Sequence, residues 1–160
     1  MNEEQKTKLD HALRDITIKS EFLQAVEPSK EWNCYSAKYR VSLFYKDREI
    51  LSSEYSMGEG HFKVKEYLAS WHSKSKLHAM QILATKKQPT IYDVMYSFLS
   101  DGEVYFQAMT FDDFCDSFGY ANDSIKAKKM YDACMDHGLK IARAIPEEQL
   151  KELKEAFIDY

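Results

Sequence analysis

The stretch from Thr110 to Cys134, TFDDFCDSFGYANDSIKAKKMYDAC, constrains the fold most tightly, because it specifies two helices and the corner between them. Thr110 is a good N-cap, and Asp113 three residues on can reach back to it, so two of the orphan amides at the helix start are satisfied locally. Phe111, Phe114 and Phe118 then fall on one face at helical spacing, and Gly119 suits a left-handed C-cap. A second start follows at Asn122, Asp123 and Ser124, any of which can cap. Capping accounts for Asp113 and Asp123, and packing accounts for the phenylalanines. Asp112 and Asp116, four apart on one exposed helix face, are left without a structural role.

Elsewhere the pattern alternates between helical and strand periods. Residues 3 to 23 read as one amphipathic helix, with Leu9, Leu13 and Ile16 on a stripe and Glu3, Lys6, Asp10 and Arg14 solvated. From Tyr35 to Tyr45 the period becomes two, and a second alternating run covers Glu49 to Met57 beyond the polar Lys46, Asp47 and Arg48. So short a connection predicts an antiparallel hairpin. Such a hairpin is marginal in water alone and must lean on a third strand or on helices, with Trp32 as one contact. Thr90 and Asp93 begin another helix carrying Ile91, Val94, Met95, Phe98 and Leu99, which Asp101 and Gly102 are expected to end. A long helix follows from about Ser124 to Ala144, with Ala127, Tyr131, Cys134 and Ile141 inward. After Pro146 a last helix turns Leu150, Leu153 and Phe157 inward. The expected fold is therefore α+β: one antiparallel β-hairpin or small sheet packed against about six helices, the C-terminal half all-helical. The 160 residues read as a single domain with a helix and hairpin over 1–60, a basic helical segment over 61–88 and an acidic helical bundle over 89–160.

Charge divides the chain more sharply than composition does. Residues 1–90 hold 15 Lys plus Arg against 12 Asp plus Glu, whereas residues 91–160 hold 7 against 14. An acidic C-terminal half disfavours wholesale DNA binding, which needs a concentrated basic face, and permits docking on a basic protein surface. The basic residues gather at Lys63, Lys65, Lys74, Lys76, Lys86 and Lys87, interleaved with Trp71, and this segment carries the alternative expectation of nucleic-acid binding.

Motifs for chemistry are not found. Cys34, Cys115 and Cys134 are odd in number and have no C-x-x-C spacing, so neither a disulfide framework nor zinc is expected, and free thiols fit a reducing cytoplasm. His61, His72 and His78 lack ligand spacing. Gly58 and Gly60 are not followed by the Lys-Ser or Lys-Thr of a phosphate loop. The acidic residues around Asp112 do not follow the register of a calcium loop. His137 lies one helical turn from Cys134, a spacing that packing explains. No apolar run approaches membrane-spanning length, and MNEEQKTKLD is charged throughout, so no signal peptide is expected. The expectation is a non-enzymatic cytoplasmic protein without cofactor or metal.

The hairpin, the Gly-Glu-Gly-His turn, PTIYDV, TFDDFC, FGY and DSIKAKKMYDAC, in that order, resemble a family of small accessory proteins of bacteriophages and prophages that has no assigned activity. The resemblance is strongest from Pro89 to about Ile145. It implies a phage protein, active in the host cytoplasm, that acts by occupying a surface of a host protein. The expected target is a defence complex such as a CRISPR effector or another defence nuclease, which would make the chain an anti-CRISPR-like inhibitor. Its expected contacts are an acidic patch of Asp101, Glu103, Asp112 and Asp116, with Tyr120 nearby.

Overall fold

The computed structural model describes residues 2–26, 36–58 and 88–158. Among them are five helices and three strands: α1 (Glu3–Ala12), β1 (Ile16–Val26), β2 (Ser36–Tyr45), β3 (Arg48–Gly58), α2 (Ile91–Phe106), α3 (Phe111–Phe118), α4 (Ile125–Ala144) and α5 (Glu147–Phe157). The strands form one antiparallel sheet in the order β1-β2-β3, so the fold is α+β. The helix count is five where about six are expected; the helical segment expected over 61–88 lies outside the described residues, as do Trp32 and Cys34.

The single helix expected over residues 3 to 23 is in fact a helix and a strand. Asn2 caps α1 in a capping box with Gln5, and Glu3 and Glu4 favour its positive end. The helix stops at Ala12 because the chain turns through Leu13 to Asp15, the last with φ 66°. The Ile-Thr-Ile run beyond is β-branched, and its side-chain stiffness favours a pleated strand over a helix. The β2–β3 connection has φ of 47° at Lys46 and 65° at Asp47, the two positive values of a type I′ hairpin turn. Alternation then sends Ala37, Tyr39, Val41 and Leu43 of β2 inward. Burial pushes the Tyr39 hydroxyl up to about 12.

The described residues gather into two compact units, one of residues 2–17, 44–51 and 92–158 and the other of residues 18–26, 36–43, 52–58 and 88–91. In the second, Phe22 packs edge-on against Tyr39 at 5.8 Å, and Lys38–Glu54 and Arg40–Glu21 pair across strands at 3.3 Å each. The first unit holds all five helices. Its buried apolar residues include Leu9, Leu13, Phe98, Phe114, Ile141, Leu153 and Phe157. Here α1 packs on α5, and Gln149, 3% exposed, is the polar residue in that core. Its amide donates to the Ala12 carbonyl at 3.0 Å and the Arg14 carbonyl at 2.6 Å, and its oxygen accepts from the Tyr45 hydroxyl at 3.2 Å. Every polar atom of the side chain is thus satisfied, which is what makes its burial tolerable. Arg14 hydrogen-bonds Glu152 at the edge of the same contact and, by that bond first, holds its carboxyl below the ordinary range.

α2 runs past Gly102, where the pattern predicts a stop. Gly102 is buried where α2 crosses α4, and a Cβ built on it would lie 3.1 Å from the Cα of Gly138. A Cβ on Gly138 would lie 2.5 Å from the Cβ of Tyr105 and 2.8 Å from the Gly102 carbonyl oxygen. Gly102 therefore serves close approach within a continuing helix instead of the left-handed C-cap. Helix α2 ends four residues later at Phe106, and the turn beyond has φ 50° at Ala108.

Candidate functional site

The corner between α3 and α4 is the most completely specified surface of the helical unit. Asp113 donates its amide to the Thr110 hydroxyl at 3.1 Å, and its carboxylate accepts the Thr110 amide at 3.2 Å. The Thr110 hydroxyl also donates to the Asp113 carboxylate at 2.5 Å, and this bond first, then that from the Thr110 amide, holds the Asp113 carboxyl below its ordinary range. At the other end Gly119 has φ 70°, and the Tyr120 amide donates back to the Cys115 carbonyl at 2.9 Å. Of the three candidate caps for α4, Ser124 is the one used; it accepts from the Ala127 amide at 3.2 Å. Asp123 stays exposed, because Ser124 is the residue nearest the first helical turn.

Between these caps the corner is filled by rings. Phe114 is buried with Val104, Cys115 and Ala127. Around it lie Phe118 at 4.7 Å, Tyr131 edge-on at 5.7 Å and Tyr120 stacked at 6.1 Å with the ring planes 8° apart. Tyr131 donates to the Met109 carbonyl at 2.8 Å, which ties α4 to the chain just before α3.

Asp112, Asp116 and Tyr120 therefore belong to one corner. Both aspartates are exposed, and Asp112 accepts from the Asn122 amide at 3.1 Å across the turn. Tyr120 is half-buried on Phe114, with its hydroxyl 3.4 Å from the Met130 sulfur. Asp101 and Glu103 are carried by α2. Two residues apart on a helix, they face different directions. Asp101 sits 3.7 Å from Nδ1 of His137 on α4, whereas Glu103 accepts from Gln107 at 2.7 Å and lines a groove between α2 and α5. The nucleic-acid candidates Lys63, Lys65, Trp71, Lys74, Lys76, Lys86 and Lys87 lie outside the described residues.

Sequence reasoning assigns Phe118 to the packed face, yet it is 59% exposed. Helix α3 has eight residues, and at its last turn the Phe118 ring rests on Phe114 while the rest of the ring stays uncovered. Its place one residue before Gly119 is the signal that could have revealed this, since a helix end is where packing on one face runs out. Ile125 at 75% and Met130 at 41% are exposed on α4. A cavity of about 290 Å³ opens beside Ile125, bounded also by Phe111, Asn122, Asp123, Ser124, Lys128 and Lys129.

The electrostatics do not prepare a nucleophile here. Burial, aided by Asp112 and Asp116, pushes the Cys115 thiol up; burial and then Asp101 push Cys134 up. A thiol used as a nucleophile is shifted the other way, by nearby positive charge. His137 packs its ring edge-on to Phe98 at 5.9 Å. Among the described residues, no three His, Cys, Asp or Glu side chains are grouped to hold a metal ion, and no helix is long and apolar enough to cross a membrane. The corner offers instead the exposed carboxylates of Asp112 and Asp116 beside the exposed apolar side chains of Phe118, Ile125 and Met130, on a backbone held at each helix start by a side-chain cap. Such an arrangement can engage a protein surface: the apolar groups fill pockets and the carboxylates meet basic groups. Comparison of the chain with family models, with curated proteins and with solved structures yields no match.

Proposed function

We propose that this chain is a non-enzymatic accessory protein of phage type that binds and blocks a host protein through the α3–α4 corner, with a defence nuclease such as a CRISPR effector as its target. The observation that carries the proposal is Phe118, 59% exposed on the same short helix as the exposed carboxylates of Asp112 and Asp116. A large exposed ring on a backbone fixed by caps loses little freedom on binding, the property that makes aromatic residues efficient anchors. The carboxylates suit a basic partner. A nuclease complex lines its nucleic-acid path with Lys and Arg to neutralise phosphates, and an acidic surface competes for that same path.

The test is to incubate the purified protein with effector complexes from its host and follow co-elution together with DNA binding and cleavage. The expected result is co-elution and inhibition, both lost in Phe118→Ser and in the double variant Asp112→Lys, Asp116→Lys, with helix content unchanged. A protein that neither co-elutes with these complexes nor slows their DNA binding or cleavage would remove the proposal.

A further inference from the structure

The α2–α5 groove shares no lining residue with the α3–α4 corner. It encloses about 420 Å³ over a floor that includes Phe157, which is buried. Tyr96 and Ile158 stand at its edges, 48% and 78% exposed. Two of the five large apolar side chains exposed among the described residues therefore meet at one groove. Its charges are of opposite sign and sit on different helices. Glu103 belongs to α2; Lys154 belongs to α5, with its ammonium 4.1 Å from the centre of the Phe106 ring. The ring face holds the cation by its quadrupole and leaves its charge unneutralised.

We propose that this groove is a self-association surface, in which two copies of the chain meet about a two-fold axis and Glu103 of each pairs with Lys154 of the other. A uniformly charged partner would satisfy one wall and be repelled by the other. The fitting occupant presents an apolar centre flanked by the same two charges in reverse order. A second copy turned through 180° does this without further coincidence, because a two-fold interface uses one patch twice and needs only that the patch complement itself. Two unlike charges on opposite sides of an apolar groove meet that requirement, and each two-fold contact yields two ion pairs.

Sedimentation equilibrium over a concentration series tests this, with Glu103→Lys and Lys154→Glu as the decisive variants. Wild type is expected to show a monomer–dimer equilibrium that weakens with salt. Each variant alone carries like charges at both pairing positions and should weaken association about tenfold or more. An equimolar mixture of the two should regain it, because a mixed pair of protomers restores both ion pairs. Ile158→Asp should weaken association in any mixture. Melting curves confirm that each variant is folded, and the mixing result does not depend on equal stability. A wild type that stays monomeric throughout would hand the groove to another occupant and overturn the proposal. So would a dimer indifferent to these substitutions, or two variants that fail to complement each other.

Discussion

The α3–α4 corner and the α2–α4 crossing join the same long helix to its neighbours by opposite means. At the corner the space is filled with rings, and Phe114 touches Phe118, Tyr120 and Tyr131. At the crossing the space is removed, since Gly102 and Gly138 bring two backbones together. The corner distributes its stability over many contacts and local caps. The crossing concentrates it in the absence of two Cβ atoms. A filled joint weakens when atoms are taken away, an empty one when they are added.

Substitutions of both kinds test that contrast. Phe114→Ala should have the largest effect, a loss of about 4 kcal/mol in denaturant unfolding, the scale for truncating a buried phenylalanine. Gly138→Ala comes next. Its added methyl meets Tyr105 and the Gly102 carbonyl, so overpacking of up to about 3 kcal/mol outweighs the roughly 1 kcal/mol that alanine adds to a helix. The net cost should be about 2 kcal/mol, and a neutral result would show that the helices are not in close contact there. Thr110→Ala removes half of a capping box and should cost about 1 kcal/mol, seen as a lowered urea midpoint.

The smallest effect is a pH dependence. The folded state holds Asp113 below its ordinary range, so its contribution is present above the unfolded carboxylate pKa of about 4 and is lost as pH falls through the lower folded value. Glu152, lowered by its bond to Arg14, acts in the same direction. Urea midpoints should therefore fall on acidification from that pH downward, and Asp113→Asn should show a shallower fall. Identical profiles would mean that the corner's cap does not depend on the charge.

What could be read from the sequence follows the same division. The cap at Thr110, the left-handed Gly119, the hairpin and the inward face of α5 were legible because each depends on residues a few positions apart. Gly102 reads as a stop in the sequence alone, since the residue that gives it meaning is Gly138, on another helix. The first element reads as one helix because Leu9, Leu13 and Ile16 fit a helical stripe, while the turn at Asp15 and the β-branched run after it are weaker signals. At the candidate site, Asp112 and Asp116 stood out as residues left over once the caps were assigned. Tyr120 and Phe118 both rest on Phe114, but the tyrosine is half-buried and the phenylalanine, which ring spacing assigns to the packed face, is largely exposed. Ring spacing along a helix places side chains on one face but does not say how far the covering partner reaches.

The buried amide of Gln149 bears on the order in which the chain acquires its structure. Its three partners, the carbonyls of Ala12 and Arg14 and the hydroxyl of Tyr45, belong to the first part of the sequence, while Gln149 opens the last described helix. During synthesis α1 has no α5 to pack on until nearly all of the sequence between them has left the ribosome, and closing so long a loop must precede the reward of that contact. The helix corner can form from local interactions well before then. Helix α1 is thus expected to gain protection from hydrogen exchange later than the helix corner in a nascent chain, although it is synthesised before that corner.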